Sequence, residues 1–367
     1  MKNKVLITGG LGLIGSACCD LFAKKGWHVF CVDNDMRSYI FGKEASTTVN
    51  KEENGLGENP DIVVIEADIR DRDQMKELIV QSNAVVHCAA QPSHPKSLEN
   101  PVEDFNINAW GTLLLLELVR LHNPEIPFAF MSSNKVYGDF PNYFNYKIVG
   151  QRYENVALDA FNEELPIDRC GHTPFGVSKV AGDLYCQEYA RNYRLVTATF
   201  RGGCLTGKNS RAVEMHGYLP YIIKCTLTGK TYTIFGGGYR VRDQIHSSDV
   251  ATALYQFITD PKQDQLGYFG KPYNLGGERR NSISIYETID AIAEKTGKKL
   301  VHKDGPERES DHIWWISDMS KFRKDYPSWE ITKDLDFIFN EIIEHLQKQL
   351  GLPVKNYAPD YFKRIRG

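Results

Sequence analysis

Short, nearly unbroken apolar runs alternate with helically spaced segments over the first half of the chain. "KVLIT" leads into the glycines of "GGLGLIG", and "LIGSACCDLFAKKG" then spaces its apolar residues as a helix does, up to a glycine stop. "HVFCVD", "DIVVIEADI", "AVVHCAA" and "PFAFMSS" repeat the buried-strand pattern. "DQMKELIVQ" and "NAWGTLLLLELVRLH" read as helices between them. Strands that are apolar on both faces and joined through helices belong to a parallel sheet covered on both sides. The pattern predicts an α/β fold, with a doubly wound parallel sheet over residues 1–200.

Beyond the second strand, residues 35–60 lack clear periodicity and read as a long loop. From residue 201 onward glycine, arginine and aromatic residues are more frequent, which marks off a smaller C-terminal α/β part over 201–350. Within it a segment at about 240–262, containing the helical pattern "DVATALYQFITD", is expected to rejoin the first domain. "SISIYETIDAIAEKTGK" and "KDLDFIFNEIIEHLQKQLG" are amphipathic helices, and 351–367 reads as a surface tail. A chain of 367 residues exceeds what one hydrophobic core serves, in keeping with this division.

Charge and composition narrow the ligands. A net charge of -3 provides no bulk attraction to nucleic acid or to an anionic membrane. Any anionic ligand must therefore be held by a local cluster of arginines and backbone amides. The 8 cysteines are scattered through apolar contexts with no CxxC pair, which points to free thiols in a reducing compartment rather than a disulfide framework. No apolar stretch is long enough to span a bilayer, and the N-terminus runs straight into a strand. The expected location is the cytoplasm.

The glycines of "TGGLGLIG" sit where candidate chemistry begins. Gly9 permits a tight turn, Gly12 lets a pyrophosphate approach the backbone, and Gly15 allows close packing of helix on strand. Asp33 ends the second strand about 20 residues on, where a carboxylate accepts from both ribose hydroxyls and repels a 2′-phosphate. That favours NAD over NADP, with Arg37 leaving the second cofactor open.

This G-x-x-G-x-x-G spacing, together with "ADI", "HCAA" and "NINAWGT", resembles the extended short-chain dehydrogenase/reductase family over nearly the whole chain. The resemblance implies a Rossmann-type domain with NAD held by Gly9, Gly12, Leu13, Ile14, Asp33, Asn34, Asp68, Ile69, Ala89, Ala90, Asn108 and Lys179. It also implies a catalytic group. Ser133 falls on the family's Ser/Thr position, with Asn134 beside it, and Lys179 on the lysine of Y-x-x-x-K. The tyrosine of that motif is replaced by Phe175. A phenolate there would take the substrate's hydroxyl proton, so its loss is expected to slow the chemistry severely, general bases contributing about 10²–10⁴-fold. Phe175 is read as a tyrosine-to-phenylalanine substitution made to trap a bound complex. A natural departure with another base is the alternative, and Tyr137 is the nearest candidate by sequence.

Residues after Ser133 discriminate within the family. Nucleotide-sugar 4,6-dehydratases carry an Asp-Glu pair there, whereas this chain has Asn134 and Lys135. "SSNKVYGD" and "RESD" (Arg308 to Asp311) resemble nucleotide-sugar 2-epimerases acting on CDP-linked sugars. The resemblance implies substrate contacts at Gln91, Asn134, Lys135, Arg201, Arg211, His216, Arg242 and Arg308. No metal is expected. Competing readings are a UDP-hexose 4-epimerase and a non-catalytic NAD-binding sensor. Family members often dimerise through the Y-x-x-x-K helix and the one before it, which implies a homodimer with "GTLLLLELVRL" at its interface.

Overall fold

A computed structural model describes residues 2–214 and 216–366. Met1, Met215 and Gly367, which fall in the expected N-terminal strand lead, the sugar-pocket loop and the tail, lie outside the described residues.

The chain opens β1(Lys4–Thr8)–α1(Leu13–Lys24)–β2(His28–Asp33), followed by the short helices α2(Met36–Phe41) and α3(Thr48–Glu53) and by β3(Ile62–Glu66). Next come α4(Arg72–Gln81), β4(Ala84–His87), α5(His94–Glu99), α6(Pro101–Phe105), α7(Gly111–His122) and β5(Phe128–Ser133). A hairpin of β6(Tyr146–Val149) and β7(Arg152–Asn155) precedes the long helix α8(Thr173–Tyr193), then β8(Thr197–Gly202) and β9(Cys204–Thr206). The remainder runs α9(Tyr218–Thr228), β10(Tyr232–Phe235), β11(Val241–His246), α10(Ser247–Thr259), β12(Lys271–Leu275), β13(Ser282–Ser284) and α11(Ile285–Thr296). It closes with β14(His302–Gly305), β15(Trp314–Trp315), α12(Ser320–Asp325), α13(Leu335–Gln349) and α14(Tyr361–Arg366).

Seven strands form one sheet in the order β12-β8-β5-β4-β1-β2-β3, every pair parallel. This is the Rossmann-type doubly wound arrangement, and the strand order reverses between β1 and β4. Ligands in such sheets bind outside the carboxyl ends of the strands at that reversal. One core packs α1 and α10 on one face through residues such as Cys18, Phe22, Leu254 and Phe257. Leu78, Leu115, Val119 and Cys186 of α4, α7 and α8 cover the other face. A separate core around Ile222, Ile292, Ile338 and Phe339 belongs to the C-terminal part. The chain crosses back twice from that part: α10 lies on α1, and β12 extends the sheet at its edge.

Three segments differ from their sequence patterns. Residues 35–60 are not a loop: Asp35 accepts from the Thr47 amide and the Ser46 hydroxyl, both at 2.7 Å, and the chain folds into short helices around it. Buried Asn50 then ties α3 to the Leu11 carbonyl at 2.8 Å. The stretch 351–366 runs over the surface but is anchored to it, with Phe362 buried against Phe339. The buried Lys295 ammonium holds this segment, donating to Asp336 at 2.7 Å and to the Ala358 carbonyl at 3.0 Å. Finally, the helix around Asn108 begins with a π-helical turn, Asn106–Trp110, a distortion often found at functional sites.

Candidate active site

A cavity of about 650 Å³ opens at the carboxyl ends of β1, β4 and β5. At one end the β1–α1 turn presents Gly9, Gly12, Leu13 and Ile14, and Asp33, Asn34, Asp68, Ile69, Ala89 and Ala90 line the adjoining wall. Close approach explains the glycines. A Cβ at Gly15 would stand 2.0 Å from the Gly9 carbonyl oxygen, and one at Gly9, whose φ is +64°, 2.7 Å from the Ala89 nitrogen. Asp33 accepts from the Leu11 amide at 2.9 Å and the Asp35 amide at 2.8 Å, which aims its carboxylate along the turn. Burial pushes that carboxyl up, against the pull of those amides. Arg37 faces away from Asp33's role: its guanidinium donates to His216 Nδ1 at 2.9 Å and to the Arg211 carbonyl at 3.2 Å. These residues fit NAD: the α1 N-terminus would hold the pyrophosphate and Asp33 the adenosine ribose.

Ser133, Asn134, Lys179 and Phe175 line the same cavity. Ser133 ends β5 and its hydroxyl accepts from the Lys135 amide at 3.2 Å. Its own hydrogen stays free to donate. Lys179 is buried one helical turn beyond Phe175 and donates to the Met131 carbonyl at 2.7 Å. Burial lowers its ammonium to about 8, with Cys88 and Asp104 opposing. The same burial, with Lys179 nearby, brings His87 down to about 3, so that imidazole is neutral.

Charge gathers at the other end. Arg242 donates to Asp311 at 2.7 Å and to the His312 carbonyl at 2.5 Å. Lys135 donates to the Ser310 carbonyl at 3.0 Å and lies 3.5 Å from Asp311. Burial alone would raise Asp311, but Arg242, Lys135 and Arg240 hold it well below the usual carboxylate range. Burial lowers Lys135 to about 8, against the pull of Asp311. Arg308 sits over the Phe235 ring at 3.9 Å, and His216 joins this wall from the loop before α9.

Four residues expected at ligands do not line the cavity. Arg201 is buried in a bidentate pair with Asp183, at 2.9 and 3.1 Å, and donates to the Tyr137 hydroxyl at 3.0 Å. Arg211 turns its side chain toward Glu53 at 3.5 Å. Gln91 and Asn108 hold one another and Asp104: the Gln91 amide donates to Asn108 Oδ1 at 2.9 Å, and Asn108 Nδ2 reaches Ser178 Oγ at 3.2 Å. They fix the loop after β4 against α8 rather than meet a ligand. Tyr137 is excluded as a base. Its hydroxyl donates to Asn274 at 2.8 Å, and burial holds it well above the usual phenol range.

Residues absent from the sequence reading also enter. Asp311, within the "RESD" motif, lines the cavity. His94 meets Thr173, itself part of the Y-x-x-x-K motif region, beside Phe175, and Tyr218, Tyr232 and Phe235 form an aromatic wall.

A Rossmann sheet with a glycine turn, an acidic β2 terminus and a serine–lysine pair on one cavity defines an NAD-dependent short-chain oxidoreductase-type enzyme. Residues 5–276 match the NAD dependent epimerase/dehydratase family, and the chain belongs to that family. It is 30% identical to the CDP-paratose 2-epimerase of Salmonella typhi, over 87% of this chain and 92% of that protein. Among solved structures, UDP-glucuronic acid 4-epimerase from Bacillus cereus, in complex with UDP-glucuronic acid and NAD, superposes with a TM-score of 0.79 at 24% identity. That alignment covers 95% of this chain and 99% of that one. UDP-glucose 4-epimerase from Thermotoga maritima, solved with UDP-glucose, gives 0.72 at 25% identity, over 95% and 99%. The chain is therefore an NAD-dependent nucleotide-sugar epimerase/dehydratase.

Proposed function

We propose that the chain inverts one carbon of a nucleotide-diphosphate sugar through a transient ketone, at C2 of a CDP-linked sugar. The observation that carries epimerisation over dehydration is the pair Asn134–Lys135 at the end of β5. Elimination of water needs an acid and a base beside the oxidised carbon. The carboxylate paired with Lys135, Asp311, is held ionised by Arg242 and Lys135 and is a poor acid. Similarity to the Salmonella protein and the "SSNKVYGD" and "RESD" motifs support C2 and a CDP-linked substrate.

NAD, when bound, supplies the hydride acceptor and returns the hydride to the opposite face of the ketone. The chain's own groups do the rest. Ser133 donates to the substrate oxygen, and Lys179 keeps a positive charge against the ribose side of the site. Arg242 and Arg308 take the diphosphate with charge-assisted hydrogen bonds. Exposed apolar residues on neighbouring helices, Trp110 and Leu121 before α8 and Val177 and Leu184 on it, support a homodimer through these helices. Among the described residues no helix is long and apolar enough to cross a membrane, and the free cysteines suit a reducing cytoplasm.

Incubation with CDP-paratose, CDP-glucose and UDP-glucose, followed by proton NMR of the products, tests the reading, with a Phe175→Tyr variant as reference. Inversion at C2 of a CDP-sugar is expected. Inversion at C4 of UDP-glucose favours the second enzyme reading, and retained NAD with no turnover in either chain favours a sensor.

A further inference from the structure

One imidazole is built into the catalytic corner and has no part in the reaction described above. His94 opens α5, and its ring packs at 54° against Phe175 with centroids 4.7 Å apart. Its Nδ1 lies 3.2 Å from Thr173 Oγ1. Ser97 Oγ donates to the His94 carbonyl at 2.7 Å and accepts from the Phe175 amide at 3.1 Å, so one hydroxyl ties the two backbones together. Thr173 has a left-handed φ of 60°, a costly conformation for a β-branched residue that structures retain mainly at functional sites. Gln91 and Asn108 anchor the loop that delivers His94. His94, Thr173, Phe175, Ser133 and Lys179 all line the same cavity.

Resting on the epimerase reading, we propose that His94 is the proton acceptor that stands in for the missing phenol. A ring that donates Nδ1–H to Thr173 Oγ1 would keep its Nε2 lone pair for the substrate hydroxyl, the arrangement of a base oriented by a third group. In the oxidising half, the substrate O–H bond breaks and its proton goes to Nε2, while the C–H bond gives its electron pair and hydrogen to the bound nicotinamide. Ketone and imidazolium result. The return half reverses both transfers, so no outside oxidant or reductant is consumed. Phe175 then serves as a flat wall that fixes the imidazole.

In the free protein the surroundings keep the ring neutral and its proton affinity low, so a gain in affinity must come with the substrate. Burial lowers His94 to about 3, with Lys135, His216 and Arg308 adding to the effect and Asp311 opposing it. A nucleotide diphosphate seated on Arg242 and Arg308 brings negative charge among these groups and raises the proton affinity of the imidazole when substrate is present.

Two measurements decide the matter. In the NAD-loaded protein without substrate, ¹⁵N shifts of His94 are expected to show a neutral Nδ1–H ring down to about pH 5, where an unshifted histidine is mostly charged. An Nε2–H tautomer, or a charged ring at neutral pH, overturns the proposal whatever the substrate is. In turnover, His94→Gln is expected to lower kcat by about 10²–10⁴-fold with KM and NAD content kept, and added imidazole to restore part of it. His94→Gln combined with Phe175→Tyr is expected to match Phe175→Tyr alone. A His94→Gln rate within about threefold of the parent, or a loss that Phe175→Tyr does not relieve, overturns it. So does a parent chain that never reduces its NAD while Phe175→Tyr does. Silence of the Phe175→Tyr protein on every nucleotide sugar contradicts the epimerase reading instead, and the tautomer result stands apart from it.

Discussion

The two ends of the cavity recognise their ligands by different physics. At the dinucleotide end the β1–α1 turn offers backbone and empty space, and an added Cβ at Gly9 or Gly15 would collide with main-chain atoms. At the sugar end Lys135, Arg242 and Arg308 offer charge, and Asp311 occupies two of these cations. The first end is limited by shape and responds to change in an all-or-none way. On the proposed reading the second works by exchange: a diphosphate would compete with Asp311 for Lys135 and Arg242, giving a graded response that depends on pH and salt.

That contrast can be broken at several points. Gly15→Val is expected to have the largest effect, since its side chain would stand where the Gly9 carbonyl is. The variant should purify without NAD, checked by the dinucleotide released on denaturation, and lose about 1–3 kcal/mol of stability. Lys179→Met keeps the buried stem but removes the ammonium at Met131, and kcat should fall about 10²–10⁴-fold with the fold intact by circular dichroism.

Arg201→Met leaves the buried Asp183 carboxylate without its partner, which should cost about 3–5 kcal/mol in urea denaturation. NAD and substrate affinity should change little, because neither residue lines the cavity. Burial would raise Asp183, yet Arg201 holds it below its unfolded value. The pair's stabilisation is therefore present above the unfolded carboxylate pKa and lost as pH falls through the folded one.

The smallest effect is at the sugar end. Burial lowers Lys135 to about 8, so substrate affinity is expected to weaken above that pH, by up to about tenfold per unit for one linked proton. Asp311 is the partner that raises it, and Asp311→Asn should move this fall to lower pH, measured by calorimetric titration with the CDP-sugar.

Much of the dinucleotide end was legible because its determinants are local. Gly9, Gly12, Gly15 and Asp33 lie within one β–α–β unit, and their spacing alone sets the turn. Pairing across the chain was not legible. Arg201 resembles a ligand-binding arginine until β8 brings it against Asp183 of α8. The end of the chain looked like a tail because its anchor, Lys295, lies on α11 far upstream. Asp35 organises the aperiodic stretch after β2 through side-chain hydrogen bonds that leave no hydrophobic period. His94 sits in "QPSHPKS", a stretch without a pattern of its own, and acquires a neighbour only when α8 packs on α5.

A CDP-sugar carrying deuterium at C2 tests the central claim most directly. The account predicts a C2-inverted product that keeps its deuterium, formed with a primary isotope effect, because the same hydride leaves and returns within one cavity. Deuterium lost to solvent, or a C2 centre left unchanged while a UDP-hexose inverts at C4, would contradict it.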